Sequence, residues 1–289
     1  MTAASHSAQV LEAGRHAHGS DALASLLALQ RPLVMGILNV TPDSFSDGGA
    51  FVDPDAAIAH AQRMAADGAD IIDIGAESTR PYGNAKVVTA DEELRRLAPV
   101  LPAVARLGRA VSIDSMKASV AAWAIEQGAA IVNDVWGLQR DAEMAGIVAR
   151  HRAGVIIMHN REAADAAIDI LDDIEAFFAR SLAIAARAGI GREAMVLDPG
   201  IGFGKTPEQS MTAIAELKRL HKFDLPLLVG ASRKRFIDAV DPAPPDRRLG
   251  GSIAAHVLAV LSGARLIRTH DVAETVQALR ILAAIGARS

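Results

Sequence analysis

Eight short apolar runs punctuate this chain, and each gives way to polar or charged residues. Leu33–Leu38 ends at Asn39, Ile71–Ile74 near Glu77, Val111–Ile113 at Asp114 and Ile131–Val132 at Asn133. Val155–Met158 ends at His159, Met195–Leu197 at Asp198, Leu227–Val229 near Ser232–Lys234, and Leu266–Ile267 at Arg268 and His270. Such runs read as strands. The segments between them have helical spacing. Asp55–Gly68 places Ala57, Ile58, Ala61, Met64 and Ala65 on one stripe and closes on Gly68, the residue a helix C-terminus favours. The junctions Gly68-Ala69-Asp70-Ile71, Gly128-Ala129-Ala130-Ile131 and Gly263-Ala264-Arg265-Leu266 repeat this helix–glycine–strand transition. Eight strand–helix units predict an α/β protein, a single (β/α)8 TIM barrel over residues 31–289. Residues 1–30 are expected to be a flexible, partly disordered N-terminal extension. Within it, Ala22–Gln30 is expected to form a short helix or a cover for the barrel bottom.

In this fold chemistry collects at the C-terminal ends of the strands. Asp114, Asn133, Asp134 and Asp198 supply hydrogen-bond acceptors there. Ser232-Arg233-Lys234-Arg235 starts a helix at the same rim, where backbone N–H groups and cations together make an anion site. Arg268-Thr269-His270-Asp271 adds a second cationic pair, and the loops after strands seven and eight are a frequent phosphate site in such barrels. Acceptors beside cations imply a ligand with N–H donors at one end and phosphates at the other. A pterin or guanine-like ring bearing a diphosphate has that polarity. Three long connections, Thr41–Pro54, Ser78–Ala90 and Asp238–Leu249, are expected to be functional, and Asp47-Gly48-Gly49 suits the first to be a mobile lid.

Other residues stay ambiguous at this level. His159 reads equally as a base or as a satisfied buried imidazole. Asp73 is expected to serve the backbone or Arg80, with metal binding by Asp73 and Glu77 as the alternative. Trp123 and Trp136 are expected to pack. Gly200-Ile201-Gly202-Phe203-Gly204-Lys205-Thr206 is not a Walker A loop, because Pro199 stands where the first glycine is required. It reads as a tight turn that aims Asp198 into the barrel mouth. No His/Asp spacing marks a tight metal site, so a Mg²⁺ ion would arrive with phosphate oxygens.

Composition narrows the classes. A length of 289 residues fits one barrel plus an extension, and 51% apolar residues suffice for its core. The chain has no cysteine, which removes disulfides, thiolate metal sites and a thiol nucleophile. A net charge of −4 argues against nucleic-acid binding. No apolar run approaches the roughly 20 residues of a membrane span, and Ala22–Leu29 lacks the basic flank of a signal peptide. A cytoplasmic protein with no membrane partner is expected.

At these residues the chain resembles the dihydropteroate synthase family, from about Pro32 to the C-terminus. Met35–Gly49 is similar to the family's first signature and Asp73–Pro81 to its second. Ser112–Ser115, Asn133-Asp134, Leu197–Lys205, Gly230–Lys234 and Arg268–Val272 complete seven ordered motifs, a highly specific set. The resemblance implies a transferase of folate biosynthesis that condenses a dihydropterin methyl diphosphate with p-aminobenzoate. It also implies Mg²⁺ dependence, competition by sulfonamides and a homodimer. By position, it implies that Asp114, Asn133, Asp198 and Lys234 hold the pterin. Asn39, Arg268 and His270 would hold diphosphate, with Asn39 also on Mg²⁺. Thr79, Arg80, Pro81, Phe203, Ser232 and Lys234 would border the aminobenzoate, and Asp114, Lys234 and Arg268 would carry catalysis. Two departures stand out: Tyr82–Lys86 lengthens the connection after Pro81, and Asn160-Arg161-Glu162 replaces a Gln-Gly-Pro type segment. A pterin-dependent methyltransferase, a Schiff-base aldolase using Lys234 and a non-catalytic paralogue remain as rival readings.

Overall fold

The computed structural model describes residues 19–41, 53–77 and 88–288. Eight parallel strands close into a barrel in sequential order. They are β1 (Leu33–Asn39), β2 (Ile71–Gly75), β3 (Ala110–Asp114), β4 (Ile131–Asp134), β5 (Gly154–Met158), β6 (Met195–Asp198), β7 (Leu227–Val229) and β8 (Ala264–Thr269). Each lies on one of the apolar runs read from the sequence. A short helix, α1 (Gly19–Leu27), precedes β1. The outer layer includes α2 (Pro54–Asp67), α3 (Ala90–Leu97), α4 (Leu101–Val104), α5 (Ala118–Glu126), α6 (Met144–His151), α7 (Ile170–Ala188), α8 (Pro207–Ala215), α9 (Arg235–Val240), α10 (Leu249–Leu261) and α11 (Val272–Gly286).

Local signals set these boundaries. Asp53 caps α2 by accepting from the N–H groups of Asp55 and Ala56, Pro54 fits the first turn, and Gly68 ends the helix at φ 104°. Thr206 and Gln209 form a reciprocal capping box at α8. The connection expected to run from Asp238 to Leu249 is partly helical. α9 reaches Val240, a 3-10 turn covers Pro245–Arg247, and Arg248 donates to the Ala243 carbonyl at 2.6 Å while pairing with Asp238 at 2.8 Å. Residues 42–52 and 78–87, which contain most of the other two long connections, lie outside the described residues, as do residues 1–18.

The barrel interior changes character along each strand with a period of two. At the bottom, Leu33, Met35, Ile71, Ile131, Ile156, Val196, Leu228 and Leu266 form one apolar cluster, and α1 inserts Leu23 into it. Two residues further along, the same inward positions become Asp73, Asn133, Asp198 and Arg268. The alternate positions, among them Ile72, Val111, Val132, Val155, Leu197 and Ile267, face the helices in the larger cluster. α1 is therefore the floor of the barrel. Arg265 fastens its end by donating to the carbonyls of Leu27 and Leu29 at 3.0 and 2.6 Å, and a Cβ at Gly19 would sit 2.2 Å from the Ala130 oxygen. Among the described residues, no helix is long and apolar enough to cross a membrane.

Leu23 is fully buried in one cluster with eight strand residues, so Leu23→Ala leaves a void that a closed barrel cannot collapse. The expected loss is about 2–5 kcal/mol in equilibrium urea unfolding. A loss below about 0.5 kcal/mol would show that α1 is not part of the cooperative barrel.

Candidate active site at the barrel mouth

Strand register places the polar ends of β1, β3 and β4 in one row. Asn39 aligns with Gly75, Gly75 with Asp114, and Asp114 with Asn133. Asp198 stands higher, level with Met158, and Arg268 lower, level with Met35 on the neighbouring β1. Gly75 keeps the row open, since a Cβ there would press on Asp114 Cβ at 3.3 Å.

Arg268 organises the interior. Its Nε donates to Asp73 Oδ2 at 2.7 Å and its Nη2 to Asp114 Oδ2 at 2.7 Å. Asn133 Nδ2 also donates to Asp73 Oδ2, at 3.1 Å. Burial opposes the Arg268 charge, but Asp73 and Asp114 outweigh it and raise the guanidinium above its ordinary pKa. What remains is a set of unused acceptors. Asp73 Oδ1, Asp114 Oδ1 and Asn133 Oδ1 are buried without a hydrogen-bond partner among the described residues. An unmet buried acceptor costs about 1–3 kcal/mol, so such a group calls for a ligand that brings donors. Burial raises the Asp114 carboxyl to about 7, with Arg268 opposing and Asp73 adding to the rise. Asp198 accepts from Gly200 N–H at 2.7 Å, and its own burial raises it to about 6.

The cationic run at β7 divides into different jobs. Arg233 adopts φ 58°, and its guanidinium pairs with Asp271 in the connection after β8. Its backbone is held from below, where Ser252 Oγ accepts from Arg233 N–H at 2.9 Å and Arg248 donates to the Arg233 carbonyl at 3.2 Å. Lys234 turns instead toward the mouth, with Nζ 4.0 Å from the Phe203 ring centroid. Ser232 Oγ accepts from His270 N–H at 3.2 Å and lies 3.0 Å from His270 Nδ1. In the tautomer where the hydroxyl donates to Nδ1, the ring proton sits on Nε2. Burial first, then Arg268, Arg233 and Lys234, lower the His270 pKa to about 3, so this imidazole is neutral.

Several expectations change. Asp134, read as a rim acceptor, turns away and caps its own loop through Trp136 and Leu138 N–H groups at 2.9 and 2.7 Å. Asp73, expected to serve the backbone or Arg80, is the hinge of the interior network. The Glu77 carboxylate takes Lys117 Nζ at 2.5 Å and Val88 N–H at 3.2 Å, and Lys117 also pairs with Glu93 at 2.6 Å. His159 is the satisfied imidazole of its two readings. Lys205 donates to Nδ1 at 2.6 Å, leaving the Nε2 proton for Asp173 at 3.0 Å. Trp123 packs on the outer core, and Trp136 packs beside Phe203 and Met158 near the mouth. Lys205, almost fully buried, is a residue that the sequence reading passed over as part of a failed phosphate-loop pattern. Thr79, Arg80 and Pro81 lie outside the described residues.

Comparison with known proteins agrees with this geometry. The pterin binding enzyme family matches residues 35–270. A dihydropteroate synthase of Bacillus subtilis is 42% identical over 257 residues, 89% of each chain. A crystal structure of the Clostridium difficile dihydropteroate synthase in the presence of pteroic acid superposes with a TM-score of 0.85 at 46% identity, covering 89% of this chain and 97% of that one. The Xanthomonas albilineans dihydropteroate synthase, solved with 4-aminobenzoic acid, gives a TM-score of 0.85 at 42% identity over 90% and 94% of the two chains.

The raised Asp198 pKa fixes a sign. A carboxyl raised by folding contributes stability that is full below its unfolded pKa of about 4 and is lost as pH climbs through about 6. Asp198→Asn can keep the Gly200 contact and cannot ionise. Measured by denaturant unfolding without ligand, the variant should gain on the order of 2 kcal/mol relative to the parent between pH 4 and 7.5. A difference between the two proteins that does not change with pH would remove the burial argument.

Proposed function

The chain belongs to the pterin-binding enzymes and, among them, to the dihydropteroate synthases, and from that membership we propose how its barrel mouth carries out their reaction. That reaction condenses (7,8-dihydropterin-6-yl)methyl diphosphate with p-aminobenzoate, giving 7,8-dihydropteroate and pyrophosphate in folate biosynthesis. The carrying observation is the ring of buried acceptors that Arg268 leaves open at Asp73, Asp114 and Asn133.

In this reading the aminopyrimidine edge of the pterin supplies the missing donors to Asp114, Asn133 and Asp198. Lys234, whose charge reaches both Asp114 and Asp198, closes the ring from the β7 side. The diphosphate lies towards Arg268, the Nε2–H of His270 and Asn39. A neutral His270 can donate there without placing a further charge beside Arg268 and Lys234. Asn39 ends β1 and carries an amide oxygen, the kind of donor a hard cation takes. Among the described residues no three His, Asp or Glu side chains converge on a metal site, so the donor set suits a Mg²⁺ that arrives with diphosphate oxygens. When bound, Mg²⁺ supplies charge neutralisation for the leaving diphosphate.

The chemistry then needs no protein nucleophile. The methylene C–O bond breaks as the pterin ring donates electron density, and the diphosphate leaves into the cationic end of the site. The neutral aniline nitrogen forms the new C–N bond and gives up one proton, which pyrophosphate can accept. Asp114, buried beside Arg268, faces charge developing on the pterin, which is its proposed catalytic role. Phe203 and Ser232, with Thr79–Pro81, form the proposed aminobenzoate walls, and Lys234 over Phe203 joins the two substrates.

Lys234→Ala should therefore reduce kcat/KM far more than Arg235→Ala, because Arg235 is exposed on α9. Pyrophosphate release that requires both substrates is the measurement. Equal losses from the two variants would mean that the run acts only as diffuse charge.

We also infer a homodimer. Leu258 and Leu261 lie one turn apart on α10, Ile281 and Ile285 one turn apart on α11, the two helices pack together, and all four side chains are exposed. A second copy covering these helices would remove the four apolar side chains from water. Sedimentation of the Leu261→Glu/Ile281→Glu variant should show a folded monomer where the parent is a dimer. A variant that stays dimeric would move the interface elsewhere.

A further inference from the structure

We propose that Lys205 is a positioning residue that holds the aminobenzoate wall in place from behind. The inference rests on the reading of Phe203 as part of that wall. Lys205 is 1% exposed and enters the site nowhere, yet its ammonium has three acceptors in the right number for its three N–H bonds. It donates to the Phe203 carbonyl at 3.1 Å, the Gly200 carbonyl at 2.9 Å and His159 Nδ1 at 2.6 Å. Two of these fix the turn that carries Phe203, and the same turn presents Gly200 N–H to Asp198.

The rest of the turn is tied by Phe203 N–H donating to the Gly200 carbonyl at 3.1 Å, Gly202 N–H donating to Ser210 Oγ at 3.2 Å, and Ile201 buried in the core. Gly200, Gly202 and Gly204 all take positive φ. Side chains are barred at both ends, since a Cβ on Gly200 would meet the His159 oxygen at 1.9 Å and one on Gly204 would meet Arg161 at 2.4 Å. Glycine leaves the backbone soft, and the buried ammonium adds two bonds that tie the Gly200 and Phe203 carbonyls to one point. Behind Lys205 the chain of contacts continues through His159 to Asp173, and Arg161 closes it on Asp173 at 2.8 Å. The groups facing Lys205 are His159 and Arg161 from the connection after β5, Asp173 from α7, Asp198 from β6 and Lys234 from the β7 side. Burial lowers the Lys205 pKa to about 7, and Asp198 and Asp173 pull it back up. Only the ammonium serves all three acceptors with His159 in its Nε2–H form. Loss of the proton therefore loosens the wall while the fold persists.

The experiment is steady-state kinetics of Lys205→Met, Lys205→Arg, Asp173→Asn and Phe203→Ala, with both KM values and the pH profile of kcat/KM for p-aminobenzoate. Lys205→Met should raise the aminobenzoate KM on the order of tenfold, with a much smaller change in the KM for the pterin diphosphate. Lys205→Arg should restore part of the loss. Asp173→Asn removes a carboxylate that favours the ammonium, so the alkaline limb of its aminobenzoate profile should move to lower pH. Should Lys205→Met fail to fold, the last two variants decide. Equal increases in both KM values, or an Asp173→Asn profile that coincides with the parent, would overturn the proposal. Phe203→Ala separates the premise from the inference: an unchanged aminobenzoate KM there removes the wall itself, whereas a raised one beside a silent Lys205→Met removes only the role of Lys205.

Discussion

Everything in the barrel mouth depends on one buried cation. Arg268 reaches across from β8 and binds Asp73 on β2 and Asp114 on β3 at 2.7 Å each. Without it, two carboxylates would share a water-poor interior with Asp198 close by. Like charges in such a setting raise one another's pKa until protons neutralise them. The guanidinium suits the position because it stays charged under burial and offers several donors in a fixed plane. A lysine would offer a point charge and could lose its proton. The constraint also explains why Asn133, not a third carboxylate, stands next to Asp114 in the register: its amide can donate to Asp73 while its oxygen stays an acceptor.

The price of this arrangement is incomplete hydrogen bonding in the absence of substrate. Three oxygens at the mouth lack partners among the described residues, which a stability-optimised core would not tolerate. Fixed acceptors need no reorganisation when a donor-bearing ring enters, so binding energy is not spent on turning side chains. The same logic separates the two ends of the site. Acceptors sit deep on β2, β3, β4 and β6, where the barrel is rigid. Arg268 is buried among them from β8, whereas Lys234 and His270 lie in the connections after β7 and β8 that shape the rim.

Much of this was legible in the sequence, and the reasons for the rest are specific. The strand ends Asn39, Asp114, Asn133, Asp198 and Arg268 could be read because an apolar run that stops at a polar residue marks the barrel rim. Asp73 was misread because it lies inside its run, between Ile72 and Ile74, and only the two-residue alternation puts it inside the barrel with Ile71 below it. That alternation was available, since Ile131 then Asn133, Val196 then Asp198, and Leu266 then Arg268 follow it. Asp134 was over-read for the opposite reason. It follows Asn133 directly, so the same period turns it outward, where it caps the next turn. Lys205 had no such signal, because its local partners Gly200 and Phe203 accept through backbone carbonyls and His159 is distant in sequence.

The run Ser232-Arg233-Lys234-Arg235 shows how far charge counting can mislead. Three consecutive cations suggest one electrostatic patch, but the backbone sends them apart. The left-handed turn at Arg233 points its side chain to Asp271, and Ser252 and Arg248 hold that turn from α10 and its approach. Arg233 thus ends in an ion pair that ties the β7 connection to the β8 connection. Ser232 and His270 form a second tie between the same two connections. With two ties, the spacing of Lys234 from Arg268 is set by the scaffold. In the proposed reading, a diphosphate and a pterin edge held by these two cations approach with one fixed separation. The run carries one cation into the site, and the pairing of its neighbour is what makes that cation's position definite.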